Sequence, residues 1–378
     1  MSTIQFHTPA DIPQDVLGFW RERQRVQDRF MALTAGPEWF RMMALSREGS
    51  GVAAIRSREP ASLVAVLPLL PMIWSLNLGV AGRCWYRRNL SVLRVCGGDL
   101  IEKDVDPRDL TALWRNVTER YPAVQGLWFD HVGSETRGDK IRRSADGASG
   151  FLVQSVFRGL PHYRLKLPPA AEEIRRRRSR ESLKKIQGRE RALSRAAGAE
   201  CRLVEIRRPL DWEPYVGKIM DLMSHTWQSR RLGHRFDASS LRDVAQAGWL
   251  RSFLLLAGES AAAFAFCFQG EGVLVYEQIG YDPAFAKYSP GTILLYRLLD
   301  RLYETDTPEC VDFGEGEAEY KSLLADEVTS VDGLMVLRRS YGMALLLALH
   351  GLGTTLSHGG RAFVRSLAAR KRSAGRDA

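Results

Sequence analysis

Three apolar runs, "LRSFLLLAG", "SAAAFAFCFQ" and "GVLVYEQIGY", follow one another between residues 250 and 281, separated only by Gly258-Glu259 and by Gly270-Glu271-Gly272. Short apolar runs bounded by glycine read as strands, and connections this short are hairpin turns, so the segment can only be an antiparallel meander. A buried meander must be covered. The chain next supplies "AKYSPGTILLYRLL" (286–299), a turn running into an apolar helix, then a strand "CVDFG", an acidic loop with the helix "EGEAEYKSLLAD", and a last strand "VDGLMVLRRS". Strands first, then helices alternating with strands, predict a mixed sheet packed by helices, an α+β or mixed α/β fold.

The rest of the chain extends this plan. "HYRLKLP" is a short alternating strand that Pro168-Pro169 ends before an arginine-rich helix, and "YVGKIMDLMSHTWQSRR" is helical. In the first half, helical signals at Ile12–Leu33 and Glu38–Leu45 precede "SLVAVLPLLPM", a β-rich run interrupted by prolines, and "LSVLRVCGG". Asp106-Pro107 starts the helix "PRDLTALWRNVTERY", and "VQGLWFDHVG" returns to strand. The polar, glycine-rich stretch 133–150 is expected to be a long loop. The domains expected are 1–150, 151–340 and a basic C-terminal helix or tail, 341–378.

Composition narrows the functional classes. The first fifteen residues lack the basic and apolar regions of a secretory signal. The longest apolar run, Met343–Gly353, is 11 residues, short of the ~20 needed to cross a bilayer. Five scattered cysteines without a CxxC pair or clustered histidines predict reduced thiols in a cytoplasmic setting and no metal site. The net charge of +10 is local: residues 174–195 contribute +8 and residues 341–378 contribute +5, leaving about −3 elsewhere. Nucleotide motifs are absent, since no GxxxxGK[ST] occurs and "GEGEAE" (314–319) fails GxGxxG at Glu319.

The turn after Tyr281 is the candidate anion site. A helix that starts there directs free N–H groups and its positive dipole end at whatever is bound. Ser289 is expected to cap it, Pro290 suits its first turn, Gly291 admits a ligand to the backbone, and Lys287 adds charge. Glu277 interrupts the face that period two assigns to Val273, Val275 and Ile279, which would raise its pKa and suit it to act as a base. Tyr281 ends the same strand as a candidate acid or substrate contact.

The order "GYDP" (280–283), "SPG" (289–291), apolar helix, "DFGEGEAEYK" (312–321) resembles the CelD/BcsL-type acetyltransferase family of the GNAT superfamily. The likeness is specific over residues 160–335, where it takes in "HTWQSRR" (225–231) and the arginine-rich helix, and looser upstream. It implies two GNAT-like halves side by side, as in Fem-type peptidyl transferases, and an acyl donor, acetyl-CoA or another acyl-CoA, with its pyrophosphate on Lys287, Tyr288, Ser289, Pro290, Gly291 and Thr292. It also implies site roles for Asp312, Tyr320 and Lys321, with His225, Trp227 and Arg230 on the acceptor side.

The function expected is direct N- or O-acyl transfer to a small-molecule or saccharide acceptor in polysaccharide, cellulose included, or cell-envelope metabolism. The rivals are a catalytically silent GNAT-like regulator of exopolysaccharide assembly and a Fem-like aminoacyl-tRNA-dependent transferase. tRNA is the lesser expectation, because the basic helix has no aromatic residue between 174 and 195. Peripheral membrane contact through the basic C-terminal segment is a further expectation.

Overall fold

The computed structural model describes residues 2–27, 33–45, 47–57, 62–80, 83–97, 100–102, 105–132, 135–146, 150–177, 180–224 and 238–352. The chain divides into two compact units, Met1–Gln27, Ala35–Gly159 and Asp332–Ala378 forming one, Asp28–Thr34 and Leu160–Val331 the other. All five cysteines are free. Among the described residues, no helix is long and apolar enough to cross a membrane.

The first unit contains β1 (Thr3–His7), β2 (Gly51–Arg56), β3 (Leu63–Val80), β4 (Arg83–Val95) and β5 (Gly126–Val132), together with the start of β6 (Phe151–Lys166) and the end of β12 (Glu327–Arg338). β1 to β4 form an antiparallel meander, β4 pairs parallel to β5, and β12 closes β5 antiparallel. The helix Pro107–Arg120 makes the parallel crossover, burying Leu110, Leu113, Trp114 and Val117 at helical spacing.

The second unit repeats the plan with β7 (Cys201–Ile206), β8 (Ser252–Ala257), β9 (Ser260–Gly270), β10 (Val273–Tyr281) and β11 (Cys310–Glu315). Its meander runs β7 to β10, β10 pairs parallel to β11, and the remainder of β6 closes β11 antiparallel. The helix Pro290–Thr305 makes this crossover and buries Ile293, Leu294, Leu298 and Leu302 against Leu274, Tyr276, Val311 and Phe313. Each such leucine contributes roughly 1.5–3 kcal/mol by leaving water. The arginine-rich helix, Arg180–Ala197, buries Ile186 and Leu193 in the same core. It is tied to the crossover helix by Arg297 Nε donating to Glu190 Oε1 at 2.8 Å.

Three expectations are corrected here. The units divide at 159/160 and 331/332 rather than at 150 and 340, because β6 and β12 each begin in one unit and end in the other. The 133–150 segment holds a helix, Glu135–Asp146, whose Ile141, Ser144 and Ala145 are buried. Trp114 Nε1 donates to Ser144 Oγ at 3.1 Å, a partner that polarity alone did not reveal. Finally, Pro68 and Pro71 lie within a continuous β3. Proline lacks a donor, but its carbonyl still accepts, as Pro68 O does from Cys96 N at 2.9 Å.

Candidate functional site

In the second unit β10 and β11 are hydrogen-bonded over three register pairs, Val273–Cys310, Leu274–Val311 and Val275–Asp312, although both strands continue. Each is irregular just beyond: the β10–β9 register shifts between Tyr276 and Gln278, and the β11–β6 register between Asp312 and Gly314. One extra residue on each strand, Glu277 and Phe313, is the signature of a bulge. The bulges lie in the ladders on either side of the β10–β11 pair, and that pair ends at Val275–Asp312 while both strands run on, which leaves a wedge between them.

The bulge overturns the reading of Glu277 as a buried acid on an apolar stripe. An inserted residue breaks the period of two, so Leu274, Tyr276 and Ile279 share the helix-side core while Glu277 is exposed. It lies within electrostatic range of Lys321, whose charged form it favours. Gln278 takes the inward position instead, 7% exposed. Its Nε2 has no hydrogen-bond partner among the described residues.

The "DFG…YK" residues lie around the end of β11 but on its two faces. Asp312 sits between Val311 and Phe313, both in the helix-side core, so its side chain faces the other way. There it meets two residues of β6 that the sequence reading missed: His162 Nε2 is 2.6 Å from Asp312 Oδ1, and Arg164 Nε donates to Asp312 Oδ2 at 3.3 Å. Gly314 N donates to Asp312 Oδ1 at 2.7 Å across a turn in which Gly314 has φ of 69°, a conformation costly for other residues. Burial opposes ionisation of Asp312, but the His162 and Arg164 contacts and the Gly314 N–H outweigh it, holding the carboxyl below its ordinary range.

Lys321 is buried, and its Nζ donates to the carbonyls of Gly314 at 3.3 Å and Glu315 at 2.7 Å. Burial lowers its pKa against the opposing pull of Glu315, Asp312 and Glu277. Tyr320 packs edge-on against Tyr276 and Phe313, at centroid distances of 6.1 and 5.8 Å. Burial pushes its phenol up to about 12, so the hydroxyl keeps its proton throughout the neutral range. Tyr281, at the far end of β10, is 49% exposed.

The turn after β10 is a 3₁₀ helix, Pro283–Tyr288, capped by Asp282, which accepts from Ala284 N at 2.8 Å. Ser289 does not cap the next helix as expected. It adopts φ 54° and ψ 55°, and its side chain makes no capping hydrogen bond. A left-handed serine is strained, and here the strain leaves the helix start open. Pro290 is buried and brings no donor, Thr292 N is used by Ser289 O at 3.0 Å, and a Cβ on Gly291 would meet nothing within 4 Å. Lys287 is exposed, with Nζ 4.9 Å from the Tyr288 ring centroid.

The crossover helix of the first unit makes the contrast. Its N-cap Asp106 accepts from Arg108 N at 2.8 Å, so a carboxylate already occupies the anion-binding end. The second crossover helix has no capping side chain and no acidic residue in its first turn. His225, Trp227 and Arg230 lie outside the described residues.

This architecture, two units of a meander followed by a parallel crossover with a wedge beside an uncapped helix start, is a mixed α/β fold of two GNAT-like halves. Residues 177–322 match the family model of an acetyltransferase (GNAT) domain. Among solved structures, a tandem GNAT protein from the clavulanic acid biosynthesis pathway is similar, with a TM-score of 0.53 and 13% identity over 89% of this chain and 98% of that one. FemX is similar with a TM-score of 0.51 and 11% identity, over 85% of this chain and 98% of that one. Such likeness carries the fold. No curated protein matches the sequence.

Proposed function

We propose that the chain is an acyl-CoA-dependent N- or O-acyltransferase, with acetyl-CoA as the donor and an amine or hydroxyl of a small molecule or saccharide as the acceptor. The observation that carries this reading is the uncapped, ligand-open helix start at Ser289–Thr292 directly after the bulged strand that bears Glu277. Acyl-CoA would supply an activated thioester. Gly291 would hold the diphosphate by its backbone N–H and the helix dipole, with Lys287 adding charge.

Glu277, exposed on its bulge, is suited to take the proton that the acceptor loses on attack. Tyr320, protonated at neutral pH with its ring packed on Tyr276 and Phe313, is suited to donate to the departing thiolate. Asp312, hydrogen-bonded to His162 and Arg164, ties β11 to β6, and Lys321 holds the Gly314 and Glu315 carbonyls at the end of β11. The likeness to CelD/BcsL-type sequences supports an acceptor from polysaccharide or cell-envelope metabolism.

Thiol release from acetyl-CoA, measured against a panel of amines and sugars, tests the reading. Release that depends on acceptor and is lost in Glu277→Gln supports it. Binding without any release favours a silent donor-binding protein, and binding of charged tRNA without acyl-CoA favours aminoacyl transfer.

A further inference from the structure

The helix at 341–352 carries two apolar stripes and no charged residue. Met343, Leu346 and Leu347 pack with Leu76, Leu90 and Val92 of the β3–β4 hairpin, and His350 Nδ1 donates to Asn77 O at 3.0 Å. Tyr341, Leu345, Leu349 and Leu352 recur at spacings of four, four and three on the opposite side and are 97%, 62%, 46% and 62% exposed. A helix docked on a water-soluble body normally turns charged residues outward. This one turns leucines outward.

The hairpin it rests on has a matching character. Near its tip Trp85 and Tyr86 are 69% and 48% exposed, beside exposed Arg83, Arg87 and Arg88. Arg87 Nε donates to Asn77 Oδ1 at 2.9 Å, on the same asparagine whose carbonyl receives His350, so the arginines border the end of the leucine stripe. Neither β3 nor β4 contains an acidic residue, and the sequence after 352 holds six Lys/Arg and one Asp.

We propose that the 341–352 helix and the tip of the β3–β4 hairpin dock the first unit onto an anionic lipid surface. The leucine stripe enters the boundary between headgroups and acyl chains, Trp85 and Tyr86 take the amphipathic interfacial level, and the arginines pair with lipid phosphates. The apolar run Met343–Gly353 is 11 residues, short of the ~20 needed to cross a bilayer, so the contact lies in the plane of the interface. A second copy of the chain is disfavoured as the occupant, because symmetric pairing would set these arginines against themselves. Lipid phosphates complement them.

Co-sedimentation of the full chain with vesicles of phosphatidylcholine alone, or with 30% phosphatidylglycerol, tests this. The protein is expected to bind the anionic vesicles at least tenfold better, and Leu345→Glu/Leu349→Glu to lose at least tenfold of that binding with an unchanged Tm. Trp85→Ala, on the hairpin, is expected to lose several-fold independently. The proposal is overturned if the wild type ignores anionic vesicles or the double variant binds them equally well. It is equally overturned if the wild type is a dimer that the double variant converts to monomer while vesicle binding is absent.

Discussion

His162 Nε2 lies 2.6 Å from Asp312 Oδ1 in the interior of the second unit, where the two side chains are only 3% and 4% exposed. Arg164 completes the array from the other carboxylate oxygen. One acidic group thus serves two basic partners at the point where β11 leaves β10. Removing it takes the 2.6 Å partner from His162 and leaves Arg164 with Glu327 at 3.7 Å. Asp312→Asn is expected to cost about 3–5 kcal/mol, the range for removing one member of a buried pair, read as a shift in the urea midpoint. A loss below about 1 kcal/mol would mean that the array does not hold β11 to β6.

The same carboxyl predicts an acid limb of stability. Because the folded pKa of Asp312 lies below its ordinary value, its contribution is complete at neutral pH. It is lost as the pH falls from about 4 through the folded pKa. Urea midpoints measured between pH 7 and 3 should fall more steeply for the wild type than for Asp312→Asn. Parallel curves would assign the acid limb to other carboxylates.

Glu277→Gln should separate chemistry from binding. The side chain is exposed on its bulge, so Tm and acetyl-CoA affinity should change little, whereas turnover should fall by about 10²–10⁴, as for loss of a general base. Unfolding of this variant would reassign Glu277 to the framework of the bulge.

Tyr320→Phe preserves the ring that packs on Tyr276 and Phe313 and removes only the hydroxyl. Donor affinity should hold while turnover drops by about 10²-fold. With the phenol near 12, the wild-type rate should show no alkaline fall from this group below about pH 11. Full activity in Tyr320→Phe would remove it from the reaction.

The meander of residues 250–281 was legible in the sequence because hairpin turns and apolar runs are local features, and so was a mixed sheet packed by helices; which strands the helices join in parallel was not. The wedge was not legible. Its bulges arise where two strands compete for different partners, and a single inserted residue sends Glu277 outward and Gln278 inward against the alternation of "VLVYEQIGY". His162 and Arg164 left one usable signal, two basic residues at i and i+2 on a strand able to face the lone acid of "CVDFG". Ser289 was misread because serine before proline at a helix start is the pattern of a cap, and only backbone dihedrals reveal the left-handed turn. The exchange of β6 and β12 between units depends on pairings between residues about 150 and about 200 positions apart, and sequence patterns do not encode it.

The central claim is that a diphosphate-bearing donor sits on the helix start at Gly291. Glutamate there would enter open space and, as an acid in the first helical turn, should leave stability unchanged or slightly raised. Calorimetric titration of acetyl-CoA into wild type and Gly291→Glu is therefore the most direct measurement. The account predicts one saturable site in the wild type and at least a hundredfold weaker binding in Gly291→Glu at unchanged Tm. Equal affinity in the two proteins, or no binding of any acyl-CoA by the wild type, would contradict it.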